Sequence, residues 1–183
     1  MVSKIINLYG GPSTGKSTIA AGLFYELTRR GISADIPYEF PKALAWDSNL
    51  HAIKDQFFVI GNQHRGISRS WGKVEYIIVD SPLLLALVYK DFYSETPYYP
   101  STYYRKEFTD FIVSLHNQYE SYDIVLNRDE KKFQDEGRYQ DLEQSKIVDT
   151  LVINTLESNH IEYVRFDVND DTVQSILNLI GIK

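Results

Sequence analysis

Residues 10–17, Gly-Gly-Pro-Ser-Thr-Gly-Lys-Ser, fit the pattern G-x-x-x-x-G-K-[ST] and constrain this chain more than any other stretch. The pattern has meaning only between a strand and a helix, and the flanks supply both. Ile5 to Tyr9 is apolar and reads as a buried strand. Lys16 to Arg30 carries Ile19, Leu23 and Leu27 on one helical stripe and stops at Gly31. Gly10 and Gly15 then permit left-handed backbone and close approach of a ligand. The loop from Gly10 through Gly11, Pro12, Ser13, Thr14 and Gly15 to Thr18 offers successive backbone N–H groups as a nest for phosphate oxygens. The helix N-terminus adds its dipole. Lys16 supplies a mobile positive charge, and Ser17 a hydroxyl suited to Mg²⁺.

The rest of the chain alternates short apolar runs with longer helical patterns. Ser33 to Tyr38 reads as a strand, and Asn49 to Arg69 as one long helix with Leu50, Ile53, Phe57, Ile60, His64 and Ile67 in register. Strands are expected at Val74–Val79, Tyr122–Leu126 and Ile161–Phe166. Helices are expected at Leu83–Asp91, Arg105–Glu120, Leu142–Glu157 and Thr172–Ile180. Five strands separated by helices predict an α/β fold, a parallel sheet covered on both faces. At 183 residues the chain reads as a single domain over residues 1–183.

Composition narrows the chemistry. With no cysteine, the chain has no disulfide, thiolate metal site or cysteine nucleophile. A net charge of −6 argues against a general affinity for duplex DNA or anionic membrane. Residues 1–10 lack the pattern of a signal peptide, and the longest apolar stretch, Pro82 to Tyr89, is far shorter than a membrane span. A cytoplasmic protein without a membrane partner is the expectation.

Three classes of phosphate-loop protein can be weighed against these residues. Asp80 ends the run Val-Glu-Tyr-Ile-Ile-Val-Asp, where such proteins hold Mg²⁺ directly or through water. Asp80 or Ser81 can also cap a helix that follows Pro82. A switch GTPase needs D-x-x-G at this point, and the string here is Asp80-Ser81-Pro82-Leu83. A mechanical ATPase usually carries a glutamate beside the aspartate, where this chain has Ser81. A kinase needs a substrate carboxylate, a substrate-binding helical region and a basic lid, and all three have candidates. Glu39 falls just past the second strand, at the end of the sheet where open α/β folds bind ligands, and can accept the proton of an attacking hydroxyl. Gln63 can pair with a base or amide edge, whereas Gln56 reads as part of a solvated face. Arg65 and Arg69 are candidates to grip an anion, with ordinary surface arginines as the plainer account. Residues 128–140 hold Arg128, Lys131, Lys132 and Arg138 and read as a lid; Arg128 is a candidate to bind the donor nucleotide, and Arg138, beside Gly137, is the best candidate to stabilise a transferring phosphoryl group. The tyrosine-rich stretch 93–104 is a candidate substrate cap. The four histidines show neither ligand-pair nor triad spacing and read as structural.

The strings GGPSTGKST, YEFPK, VDSPLLLALVY and EGRYQ together resemble the nicotinamide-riboside-kinase-like P-loop group, which includes many phage-encoded small proteins, and more distantly the deoxynucleoside kinases. The resemblance covers nearly the whole chain. It implies the P-loop NTPase strand order 2-3-1-4-5 with a lid, a catalytic base at Glu39, a nucleobase-reading glutamine at Gln63, and Trp46 lining the same pocket. One departure is Ser81, where deoxynucleoside kinases carry an arginine. The expected activity is phosphoryl transfer from ATP or another NTP, with Mg²⁺ on Ser17 and Asp80, to a nucleoside, nucleotide or related ribosyl small molecule. Two alternatives stay open: a kinase acting on a polynucleotide such as modified phage DNA, and a nucleotide-binding regulatory ATPase with little transfer.

Overall fold

A computed structural model describes residues 2–37, 40–47, 49–93, 105–129 and 140–183. Its centre is a parallel sheet of five strands: β1 (Lys4–Tyr9), β2 (Ala34–Asp35), β3 (Tyr76–Val79), β4 (Ser121–Asn127) and β5 (Val164–Asp167). The order is β2-β3-β1-β4-β5, as the family resemblance implies. Register sets Ile5 against Ile77 on one side and against Ser121 on the other. The phosphate-loop strand is therefore central, and its carboxyl end is flanked by the ends of β3 and β4.

Side-chain alternation divides the core. Ile6 and Leu8 of β1, with Ile78, Ile124 and Leu126, pack against α1 (Lys16–Arg29) and the C-terminal helix Thr172–Leu179. Ile5 and Tyr9, with Ile77, Val79 and Val125, face the remaining long helices. This period of two fixes which face each strand residue serves, so a one-residue slip would exchange the two cores.

Three expectations change. Residues 49–69 form two helices, α3 (Leu50–Lys54) and α4 (Gln56–Ser70), broken at Asp55. Asp55 takes an extended conformation, and its carboxylate accepts the Phe58 amide at 3.1 Å. A short acceptor side chain that can cap competes with helical continuation, and here the cap wins. A further helix, α2 (Phe40–Trp46), lies between the expected strand and the expected long helix, where no element is expected from the sequence. Phe40 packs edge-on against Phe58 of α4 with ring centroids 5.2 Å apart. Gln56, read as part of a solvated face, is buried at 6 % exposure and donates to the Ile53 carbonyl.

The helix after β3, α5 (Leu85–Phe92), is buried along Leu85, Ala86, Leu87 and Val88. It begins through tight turns from Pro82, Leu83 and Leu84, with no side-chain cap, so neither Asp80 nor Ser81 caps it. Next come α6 (Arg105–His116) and α7 (Leu142–Ser158). A capping box at Asp141 and Gln144 starts α7. The C-terminal helix Thr172–Leu179 is α8. Among the described residues no helix is long and apolar enough to cross a membrane.

Candidate active site

The site starts from the end of β1. Tyr9 is buried, and its hydroxyl donates to Asp123 Oδ1 of β4 at 2.8 Å. Asn7 Nδ2 donates to the same oxygen at 2.9 Å, Ser121 donates to Oδ2, and His116 Nε2 lies 3.5 Å from Oδ2. Burial pushes the Asp123 carboxyl up, but the His116, Ser121 and Tyr9 contacts outweigh it and hold it below the ordinary carboxylate range. Burial also raises the Tyr9 hydroxyl well above its usual range. Tyr9 thus enters the loop from a fixed point.

From there the chain turns through left-handed backbone at Gly10 (φ 143°), Ser13 (φ 62°) and Gly15 (φ 88°). Gly15 N-caps α1 without a side-chain bond, so no cap side chain takes up the first N–H groups of that helix. Thr14 Oγ1 donates to the Gly11 carbonyl at 3.0 Å and braces the loop internally. Lys16 Nζ donates to the Gly10 carbonyl at 2.7 Å and the Gly11 carbonyl at 2.8 Å, so its ammonium sits within the loop. Ser17 is half-buried in the first turn of α1, and Thr18 is exposed.

Asp80 follows β3 directly and is buried at 6 % exposure. Since Asn7 pairs with Val79, Asp80 falls beside Leu8 at the loop end of β1. Its carboxylate makes no hydrogen bond or ion pair with any described residue. A buried carboxylate without a donor is costly by itself and suits a cation. One carboxylate and one hydroxyl, with phosphate and water completing the shell, match the needs of Mg²⁺. Among the described residues no cluster of three or more His, Cys, Asp or Glu forms a denser metal site.

Ser81 follows Asp80, and Gln63 of α4, buried at 7 % exposure, donates from Nε2 to Ser81 Oγ at 2.6 Å. Gln63 Oε1 is buried and has no hydrogen-bond partner among the described residues. Arg65, two positions further along α4, is exposed and leaves the helix on another face. Trp46 ends α2 and is 69 % exposed. The structure therefore brings Gln63 to Ser81, next to Asp80 in the chain, while Arg65 and Trp46 are exposed. Glu39 and Arg138 lie outside the described residues, as do residues 94–104 of the tyrosine-rich stretch.

Arg128, a candidate donor-binding residue from the sequence, and Asp149, which the sequence did not single out, border the phosphate loop. Arg128, directly after β4, donates from Nη1 to the Pro12 carbonyl at 2.7 Å and from Nε to Asp149 Oδ2 at 2.6 Å. Asp149 of α7 accepts the Gly11 amide at 2.6 Å. At the far end of the lid stretch, Gln140 donates to the hydroxyl of buried Tyr93, and Lys54 Nζ lies 5.6 Å from that ring's centroid.

The fold has counterparts among solved structures. The chain resembles the deoxyadenosine kinase from M. mycoides with bound dATP, with a TM-score of 0.65 and 18 % identity over 97 % of this chain and 98 % of that one. It resembles the NadR protein in complex with NR, with a TM-score of 0.72 and 16 % identity over all of this chain and 52 % of that one. The kinase group suggested by the sequence motifs thus shares this fold. No curated protein matches the sequence. A sequence model described as an AAA domain matches residues 5–172, a span running from β1 into α8. With that match over most of its length and the phosphate loop at its centre, the chain belongs to the AAA-domain family of P-loop proteins.

Proposed function

We propose that this protein is a phosphotransferase that moves the γ-phosphoryl group of ATP, or another nucleoside triphosphate, to a nucleoside, nucleotide or related ribosyl small molecule. The observation that carries this reading is the buried, unpartnered carbonyl of Gln63, held by Ser81 next to Asp80. A protein that only hydrolyses a nucleotide has no need of a recognition group there. An acceptor with an amide or amino edge would satisfy it. Ser81 supports the same reading, because the position directly after Asp80 holds a serine and not the glutamate with which a mechanical ATPase polarises water.

Residues Gly10 to Thr18 would bind the donor phosphates, with Lys16 moving from the loop carbonyls onto them. Ser17 and Asp80 would hold Mg²⁺, which neutralises charge on the β- and γ-phosphates when bound. Glu39 would take the proton of the acceptor hydroxyl as its oxygen bonds to the γ-phosphorus and the bond to the bridging oxygen breaks, releasing the nucleoside diphosphate. Arg138 would offset the charge on the transferring group. The likeness to a kinase that binds dATP and to a protein that binds NR is consistent with this substrate range.

The test is transfer of label from γ-labelled ATP and GTP to a panel of nucleosides, nucleotides, ribosyl pyridines and DNA. A labelled small-molecule product supports the proposal. Label found only in DNA, or tight triphosphate binding without transfer, refutes it in favour of a polynucleotide kinase or a regulatory module respectively.

A further inference from the structure

Among the described residues, an ion pair between a donor-binding candidate and a residue not yet assigned a role touches the phosphate loop. Arg128 and Asp149 meet through two bonds: Nε to Oδ2 at 2.6 Å and Nη2 to Oδ1 at 3.3 Å. The Arg128 side chain is only 6 % exposed, deep for a guanidinium. The pair does not merely pack beside the phosphate loop. Asp149 Oδ1 accepts the Gly11 amide, and Arg128 Nη1 donates to the Pro12 carbonyl, so successive residues are held at opposite polar ends. The fit is close. A Cβ on Gly11 would lie 2.7 Å from the Ser145 carbonyl oxygen, 2.8 Å from Arg128 Nη2 and 2.9 Å from Asp149 Oδ1.

The chemistry of these bonds separates their role from that of Lys16. The Lys16 ammonium lies on the carbonyls of Gly10 and Gly11 and can exchange them for phosphate oxygens. Asp149 is an anion, and an anion placed at the polyphosphate itself would repel it. Bonded to the Gly11 amide and neutralised by Arg128, it instead fixes the arm of the loop that precedes Ser13. Arg128 also begins the stretch 128–140, so the same guanidinium joins the end of β4 to the loop.

We propose that Asp149 and Arg128 act as one positioning pair, which holds Gly11 and Pro12 in the conformation that binds the donor phosphates. Neither residue touches the transferring group; both act through the loop backbone. This rests on residues 10–17 being the donor site.

The experiment uses the full chain and two readouts. The first is the amide resonance of ¹⁵N-labelled Gly11 without nucleotide, which the short bond to a carboxylate displaces downfield. The second is the dissociation constant for ATP·Mg²⁺ together with the KM of the acceptor at saturating donor. In Asp149→Ala the Gly11 resonance returns to the ordinary amide range, the donor constant rises about tenfold, and the acceptor KM stays within about twofold. Arg128→Lys, which keeps the charge and loses the fork, weakens donor binding similarly. The double variant is no worse than about the stronger single one, because the two residues act as a unit. Asp149→Asn, which keeps an oxygen for Gly11, recovers part of the affinity and carries the test should Asp149→Ala fail to fold. An unmoved Gly11 resonance overturns the proposal. So do a moved resonance with unchanged donor affinity, and fully additive losses in the double variant. Wild-type protein that binds no nucleoside triphosphate refutes the donor site itself, and the Gly11 resonance then reports separately on the pair.

Discussion

Gln63 Nε2 and Ser81 Oγ are 2.6 Å apart, and this bond turns the glutamine carbonyl into a buried acceptor with nothing to accept. An orphaned polar group of this kind costs about 1–3 kcal/mol in the folded protein. Gln63→Leu removes it together with its amide. Relief of the orphaned oxygen is offset by the bond lost to Ser81, so stability should change by about 1 kcal/mol or less, whereas acceptor KM should rise about 10- to 100-fold with donor affinity kept. Thermal melts and steady-state kinetics on one preparation check both halves.

Lys16→Ala removes the ammonium from the carbonyls of Gly10 and Gly11. These oxygens can turn to water, so the fold should survive. Phosphoryl transfer should fall by about a thousandfold or more, because the charge that meets the γ-phosphate is gone. Circular dichroism and a transfer assay separate the two effects.

Much of this was legible because it depends on local rules. The phosphate loop is a contiguous string, and the two sheet faces follow from alternation in short apolar runs such as Ile5 to Tyr9. Helix α2 carried a signal as well, since Pro41 stands in its first turn where proline suits a helix start. Asp55 was a capping residue hidden inside a continuous apolar pattern, and only packing decides whether such a residue caps or continues. Asp149 could not be read as part of the site. It lies 138 positions from Gly11, and nothing local distinguishes it from a surface carboxylate on a helix. Gln63 was legible by type and spacing, but its orphaned oxygen is a property of the folded surroundings alone.

Asp123 links stability to pH. Its folded carboxyl is held below the ordinary value of 3.8, so the native state binds fewer protons than the unfolded chain as that range is approached from above. The contribution is fully present above about pH 4 and is lost as pH falls further. Denaturant melts between about pH 6 and pH 2 should show this loss in the wild type and a flatter profile in Asp123→Asn. At neutral pH that variant should be less stable by about 1–3 kcal/mol, since Tyr9 and Asn7 lose an ionised acceptor.

Gly11→Ala tests the closeness of the loop to α7. Three polar atoms lie within 3 Å of the added methyl position, and one is a backbone carbonyl that cannot swing aside. The loop must shift, and ATP affinity should fall more than about tenfold, beyond the loss in Asp149→Asn. Equal affinities in the two variants would show that the crowding is absorbed elsewhere.

The resting position of Lys16 has a kinetic meaning. Its ammonium acts as an internal ligand of the loop, satisfying the carbonyls of Gly10 and Gly11 until a polyphosphate competes for it. On the proposed function, donor entry would be an exchange reaction rather than the filling of an open hollow. A ligand with too few anionic oxygens to displace the ammonium gains little from this loop, so discrimination by phosphate number begins inside the protein's own lysine.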